Sequence, residues 1–347
     1  MKNAKLGILG FGHMGQLHLK NCLRMKKLEV AVADKSKSAL RKAREMGVKE
    51  TYRDYKELFK KANLDAVIIT LPNFIHKESA CLAAEEGLDI FVEKPLARTA
   101  KECEKVVQSA SKNSVKLMVG FYQRFIDRNR DVKSEIDDGA FGDIELITFE
   151  LVDSGPFFHR FPPSPVPEWW LDSRKMGGGV LLDTGSHAID LMRWLLNDNA
   201  SVKHVYLGYR FRLPFEDTAI LLLQFNGGTK AALMAGWFTP RTNQRIAFYG
   251  TAKAASLEMF KSEINMKRAA NEAIKNVIRK ILGREIAPFP LSEISRAYYK
   301  EIKNFVDCVR EDKEPLVTGK DGLECAKIID EAYQLGRSMN SVETRSY

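Results

Sequence analysis

The sequence predicts an α/β chain, a doubly wound parallel sheet followed by a second region rich in strands, and three observations carry that prediction. A glycine-rich turn, Gly10-Phe11-Gly12-His13-Met14-Gly15, stands between a strand-like run and a helical one. From there to residue 120, short apolar runs alternate with segments of helical spacing, as crossover helices between parallel strands require. Beyond residue 143, strand-like runs follow one another at 143–152, 203–213, 217–225, 229–238, 244–249 and 254–260, with Asn226-Gly227-Gly228 as a hairpin signal.

Residues 5–10 read as a short buried strand and residues 16–25 as the helix after the glycine turn. The second strand, 28–33, ends at Asp34, nineteen residues past Gly15. Helices are then expected at 56–62, 76–86 and 99–113, and strands at 66–70, 89–92 and 116–120. Near the C-terminus, 295–310 and 322–338 have helical apolar spacing.

A lone G-x-G-x-x-G means little, but strand, turn, helix, strand and acid at this distance give each residue a task. Gly10 makes the tight turn, Gly12 lets the backbone approach a pyrophosphate, and Gly15 lets the helix pack on the strand. The helix start, with Phe11, His13 and Met14 in the same turn, offers N–H groups and a dipole to the phosphates. Asp34 is expected to accept hydrogen bonds from the adenosine ribose. A carboxylate there repels the 2′-phosphate of NADP, so NAD is favoured. Lys35, Ser36, Lys37 and Arg41 keep NADP possible if Asp34 turns aside.

Composition bounds the rest. At 347 residues the chain suits two domains, and 45% hydrophobic with 29% charged residues is ordinary for a soluble globular protein. The net charge of +9 falls in residues 1–120, which carry 23 Lys+Arg and 14 Asp+Glu; the remainder carries 31 of each. The lysines are scattered among acids at helical spacing, with no aromatic-interleaved basic stripe, so no nucleic-acid partner is expected. Five cysteines, odd in number and never in a C-x-x-C pair, argue against disulfides or zinc and for a reducing cytoplasm. No signal-peptide pattern opens the chain, and no apolar run approaches the roughly 18 residues of a membrane span.

Ligands of a doubly wound sheet gather at the carboxyl ends of its strands. Three loops there stand out: Thr70-Leu71-Pro72-Asn73-Phe74-Ile75-His76, Glu93-Lys94-Pro95 and Gly120-Phe121-Tyr122-Gln123-Arg124-Phe125. Lys94 on its own reads as one surface lysine among many. His76 is either a contact on the ribose or nicotinamide side or the group that satisfies a helix start. Farther on, Gly177-Gly178-Gly179 opens a segment whose apolar positions suit a largely buried helix, yet it carries Asp183 and His187 at i,i+4 and Asp190 beyond. That spacing projects carboxylate and imidazole from one face. By itself the pair reads as an Asp and a His bonded to each other or to backbone; an imidazole is also the natural group to exchange a proton with a substrate.

Taken together, Gly10 to Gly15, Glu93-Lys94-Pro95, Gly120 to Phe125, Gly177 to Asp190 and the tail segment Glu314 to Leu323 resemble the glucose–fructose oxidoreductase/inositol dehydrogenase/rhizopine-catabolism (Gfo/Idh/MocA) family. The resemblance runs in order along nearly the whole chain, with a gap near 260–295. It implies an N-terminal doubly wound Rossmann domain, residues 1–122, and a C-terminal α/β domain, 123–347, built on a large, mostly antiparallel open sheet. The helices at about 295–338 are expected to pack back toward the first domain. The open sheet implies a homodimer or homotetramer.

The same resemblance implies a catalytic set of Lys94, Asp183 and His187. In that picture His187 exchanges the hydroxyl proton, Lys94 stabilises the charge on the same oxygen, and Asp183 orients the substrate or the imidazole. Thr70, Pro72, Asn73, His76, Glu93, Lys94 and Gln123 become candidates for the cofactor, and Tyr122, Arg124 and Trp170 for the substrate. The glycine triplet is expected to let backbone approach the nicotinamide and substrate, and Asp190 to be structural. No metal is needed. The function so implied is transfer of a hydride between NAD(P) and a secondary alcohol or ketone of a sugar, cyclitol or sugar derivative, in the cytoplasm. A non-catalytic sensor of the same fold is the alternative, as are a bilin reductase and an oxidation-assisted glycosidase.

Two further stretches complete the reading. Phe157 to Trp170 is proline- and aromatic-rich; its aromatics either stack on a sugar ring, cover the nicotinamide or fill a local core. Residues 261–285 form a basic amphipathic pattern, seven Lys+Arg against three Glu, suited to packing on this protein or a sister subunit more than to a membrane surface.

Overall fold

Five largely apolar strands and one polar edge strand of the first 120 residues pair into one parallel sheet. In the computed structural model, which describes residues 3–155, 167–239, 242–258 and 293–343, with side chains to 338, the order is β1 (Ala4–Leu9), α1 (His13–Cys22), β2 (Leu28–Ala33), α2 (Lys37–Glu45), β3 (Glu50–Tyr52) and α3 (Tyr55–Lys61). Next come β4 (Ala66–Ile69), α4 (Asn73–Glu85), β5 (Asp89–Glu93), α5 (Ala100–Lys112) and β6 (Leu117–Gly120). The strands lie in the order β3-β2-β1-β4-β5-β6, every pair parallel. Helices cover both faces, which is why β4 is apolar and buried at every position. The strand order reverses between β1 and β4, and the crevice of the sheet opens at their carboxyl ends.

Helix starts divide by task. Ser36, Asp54 and Thr99 cap α2, α3 and α5 with side-chain oxygens. Gly12, at the N-cap of α1, supplies no such acceptor, so the first N–H groups of α1 are left for a ligand.

A short 3-10 turn, Tyr122–Phe125, and α6 (Asp127–Asp137) lead into the second sheet. It holds β7 (Ile144–Val152), β8 (Ala200–Gly208), β9 (Thr218–Phe225), β10 (Lys230–Gly236), β11 (Asn243–Gly250) and β12 (Ala254–Glu258), in the order β12-β11-β7-β10-β9-β8. Only β7 and β10 pair parallel. The strand expected at 203–213 stops at Gly208. Asp217, wholly buried, accepts the Phe211 N–H at 2.7 Å and turns the chain out of the ladder. Along β9, Ala219, Leu221 and Leu223 face inward, while Ile220 and Leu222 face outward and are exposed.

Between β7 and β8 lie a 3-10 turn (Glu168–Leu171), α7 (Ser173–Met176), a π-type turn (Leu181–Gly185) and α8 (Ser186–Leu196). The chain then ends on α9 (Glu293–Glu311) and α10 (Gly319–Glu343). Just before α10, Val317 accepts the Val119 N–H at 3.2 Å beside a Met118–Thr318 bridge, so the tail is stitched to β6. Helix α10 lies on α5 and β8, and α9 on α1. The aromatic stretch is described only from residue 167, and the basic 261–285 segment lies outside the described residues.

Candidate active site

A cavity of about 1200 Å³ runs from the end of β2, across β1 and β4, to the second sheet. Its near end is built on the glycine turn. Gly10 has φ +86°, and a Cβ there would lie 2.7 Å from the Thr70 carbonyl oxygen. A Cβ on Gly15 would lie 2.2 Å from the Gly10 carbonyl oxygen, so α1 closes on β1 only with glycine at that position. A Cβ on Gly12 would meet nothing within 4 Å. The turn therefore has both the room and the free N–H groups that a pyrophosphate needs. Asp34 closes this end, its carboxylate held by the Phe11 and Ser36 N–H groups at 2.6 and 2.7 Å.

Gly10, Gly12, His13, Met14, Asp34, Thr70, Pro72, Asn73, His76, Glu93 and Lys94 line the cavity. Three residues expected at the cofactor do not. Phe11 is buried and reaches the site only through its N–H, and Gly15 serves packing. Gln123 is buried with its amide paired to Gln244 at 3.0 Å, and it is Gln244, at an inward position of β11, that faces the cavity. His76 caps no helix: its ring nitrogens meet the Pro95 and Leu71 carbonyl oxygens at 2.8 and 2.7 Å and tie two cavity loops together. Burial lowers its pKa from the ordinary 6.5, against the pull of those carbonyls.

Lys94 follows β5 and reaches across to the segment before α8. Its Nζ donates to Asp183 Oδ1 at 2.5 Å and to the Asp183 carbonyl at 3.0 Å. Asp183 and His187 line the same cavity, yet they do not share one regular helix. Asp183 sits in the π-type turn, where its carbonyl accepts from Lys94 and from the Ser186 hydroxyl, and α8 begins only at Ser186. The His187 ring stands edge-on to Phe121 and Tyr122, centroids 6.1 and 5.1 Å away, with Nδ1 buried and unpartnered. Burial, and after it the Lys94 ammonium, hold its pKa well below 6.5, so the imidazole is neutral near pH 7.

Among the expected substrate residues, Tyr122 and Trp170 line the cavity, and Trp170 also packs on Trp237 at 5.5 Å, so it is both core edge and cavity wall. Arg124 is a correction. It is buried, donates to both Asp190 oxygens and pairs with Asp321 at 2.9 Å, and does not line the cavity. A guanidinium already shared by two carboxylates is not available to a ligand. The glycine triplet is a second correction. Gly177 ends α7 at φ +90°, a Cβ on Gly178 would lie 2.2 Å from the Tyr333 hydroxyl, and one on Gly179 would lie 1.9 Å from the Glu216 carbonyl. The glycines admit protein neighbours, not the nicotinamide. Asp153 and Tyr298, which no sequence signal marked, also line the cavity. Among the described residues no group of His, Cys, Asp or Glu is placed to hold a metal ion, and no helix is long and apolar enough to cross a membrane.

Residues 4–121 match the model of an oxidoreductase family with an NAD-binding Rossmann fold, and residues 129–256 match that of the GFO/IDH/MocA C-terminal domain. The rhizopine catabolism protein MocA of Rhizobium meliloti is 30% identical over 268 residues, 75% of this chain and 80% of that protein. The chain belongs to the Gfo/Idh/MocA oxidoreductase family. The myo-inositol 2-dehydrogenase of Thermotoga maritima is 26% identical to this Gfo/Idh/MocA protein over 330 residues, 92% of each. The fold matches that of scyllo-inositol dehydrogenase from Lactobacillus casei, solved with NAD(H) and scyllo-inositol, at a TM-score of 0.78 and 24% identity over 97% and 98% of the two chains. As a member of the family the protein is an NAD(P)-dependent oxidoreductase, with the glycine turn and Asp34 as the parts that fit NAD.

Proposed function

We propose that the protein interconverts a secondary alcohol and its ketone on a cyclitol or sugar derivative, with Lys94, Asp183 and His187 as its catalytic residues and residues 1–122 and 123–347 as cofactor and substrate domains. One observation carries this reading: an ammonium, a carboxylate and a neutral imidazole line one cavity whose other end is the dinucleotide turn. NAD, when bound, takes or returns the hydride. In the oxidation direction His187 takes the hydroxyl proton at Nε2, the ring nitrogen that is not sealed in the core. Lys94 donates to the same oxygen and stabilises its developing charge. Asp183 fixes the ammonium with two acceptors and leaves Oδ2 for a substrate hydroxyl. Tyr122 and Trp170 offer aromatic faces to the C–H side of a ring. A sensor has no use for such a set, which favours an enzyme.

The inositol dehydrogenases among its relatives put cyclitols first among substrates to test. Asp34 favours NAD over NADP. The exposed Tyr206, Ile220, Leu222 and Tyr249 support the outer face of the second sheet as the surface through which a dimer or tetramer would form. Five unpaired cysteines suit a reducing cytoplasm. The test is a panel of inositol isomers, sugars and polyols with NAD and NADP, read by nicotinamide absorbance. Turnover of a cyclitol or sugar that falls about 100-fold or more in His187→Asn and Lys94→Ala, with NADH binding intact in His187→Asn, is the expected result. Wild-type rates in both variants would overturn it.

A further inference from the structure

The segment carrying Asp183 and His187 has a second face, turned away from the cavity, and one acid holds it. Glu216 precedes β9 and is 2% exposed. Its carboxylate accepts the Gly179 N–H at 3.1 and 3.2 Å and the Leu181 N–H at 3.0 Å, and also the Tyr333 hydroxyl from α10 at 2.8 Å. Its backbone carbonyl accepts the Val180 N–H at 3.0 Å. Three successive amides, 179 to 181, thus end on a single residue. They are the amides that open the π-type turn, where a helix has no partners of its own. The bare backbones of Gly178 and Gly179 are what allow Tyr333 and Glu216 to come so close.

We propose that Glu216 is a positioning residue for the reaction: by holding amides 179 to 181 it sets the rotation of the π-type turn and so the point at which Asp183 and His187 meet Lys94. The inference rests on the catalytic reading of those three residues. A local Ser or Asp cap would satisfy the same amides while tying the segment only to itself. Glu216 ties it to the second sheet, on which the cavity wall residue Gln244 stands. Trp237, at the end of β10, adds a tie on the same turn through its Nε1 to the Thr184 hydroxyl at 3.1 Å. The spacing between proton-transfer group and substrate wall is therefore built in at Glu216. Burying a carboxylate to this depth is costly, and here three donors, the Gly179 and Leu181 N–H groups and the Tyr333 hydroxyl, offset the cost.

Glu216→Ala, Glu216→Gln and Tyr333→Phe test this, with His187→Asn as the assignment control. NADH affinity is expected to stay at the wild-type value in all three. In Glu216→Ala, kcat on a cyclitol is expected to fall about 100-fold, the cost of roughly 1 Å of misplacement, with KM nearly unchanged. Glu216→Gln, which keeps one acceptor oxygen, is expected to recover part of the loss. Independently of turnover, the imidazole NMR signal of His187 is expected to move in both Glu216 variants while that of His76 stays. If Glu216→Ala does not fold, the other two variants carry the test. A folded Glu216→Gln with unmoved His187 signal and wild-type kcat overturns the inference. Should the wild type oxidise no polyol, the catalytic reading fails, and the His187 signal alone decides whether Glu216 positions the turn.

Discussion

Arg124 grips Asp190 through two parallel contacts, Nε to Oδ2 at 2.9 Å and Nη2 to Oδ1 at 2.5 Å, with the two side chains 4% and 0% exposed. The pair joins the turn after β6 to α8, and Asp321 extends it to α10. Removing the cation leaves Asp190 charged and buried with its best partner gone. Arg124→Met is expected to destabilise the fold by about 3–5 kcal/mol, read by urea unfolding. Cofactor KM in the folded fraction should not change, because Arg124 does not line the cavity; a selective loss of substrate affinity at full stability would contradict this placement.

Replacement of the proton-transfer group should be costly at constant binding. His187→Asn is expected to lower kcat by about 10²–10⁴, and Lys94→Ala by about 10²–10³. NADH fluorescence titrations should give wild-type affinity in the first. In Lys94→Ala the His187 imidazole loses a repelling charge, so its pKa, followed by NMR, should rise.

Acid should weaken the fold through two histidines. His76 and His187 both have pKa values below the ordinary 6.5, chiefly through burial. Above that pH folded and unfolded chains both keep these rings neutral. As pH falls below about 6.5, the unfolded chain binds protons that the folded chain refuses, and stability drops. Denaturation midpoints measured from neutral pH to about pH 5 should therefore decline. In the double variant His76→Gln/His187→Asn the decline should be shallower, and an equal slope would count against this origin. The acid limb of kcat/KM for alcohol oxidation should lie below pH 6.5 for the same reason.

Cofactor choice should turn on one carboxylate. Asp34 is fixed by two backbone N–H groups at the cavity edge. Asp34→Ser should raise the ratio of NADP to NAD kcat/KM by about 10–100-fold, from relief of roughly 1.4–3 kcal/mol of like-charge repulsion. An unaltered ratio in steady-state kinetics would show that Asp34 does not discriminate.

Assembly should fail when the outer sheet face is charged. Ile220→Asp with Leu222→Asp puts two carboxylates on exposed positions of β9; sedimentation velocity is expected to report a dimer or tetramer for the wild type and a monomer for the double variant. The substitutions face away from the core, so thermal unfolding of the monomer should remain cooperative.

Local patterns in the chain were enough for the fold class and the cofactor turn. Gly10, Gly12, Gly15 and Asp34 lie within one strand–helix–strand unit, so their spacing already encodes their geometry; β4 is an unbroken apolar run, and β1 and β2 are each interrupted by a single charge, Lys5 and Glu29. Asp183 and His187 stand out as ionisable groups in an apolar segment, Lys94 only through the family resemblance, and the structure lines one cavity with all three. What escaped is tertiary. Nothing near Arg124 tells that Asp190 and Asp321 await it, so a free cation beside a cavity loop was the natural expectation. Glu216 reads as an acid in a turn until the fold brings Gly179 to it. The π-type turn at 181–185 is invisible for a similar reason, since a donor on the Asp183 carbonyl is Lys94, 89 residues away. Alternation that continues past Gly208 extends the expected strand to 213, whereas the chain is turned by Asp217, a contact no period reports.

The Tyr333 hydroxyl on Glu216 also imposes an order of birth on the enzyme. At about 5–20 residues per second of translation, some 300 residues and about 15–60 s separate the synthesis of Asp34 from that of Tyr333. Through that interval a nascent chain can own a finished dinucleotide turn while its acid–base segment still lacks the anchor that the last described helix brings.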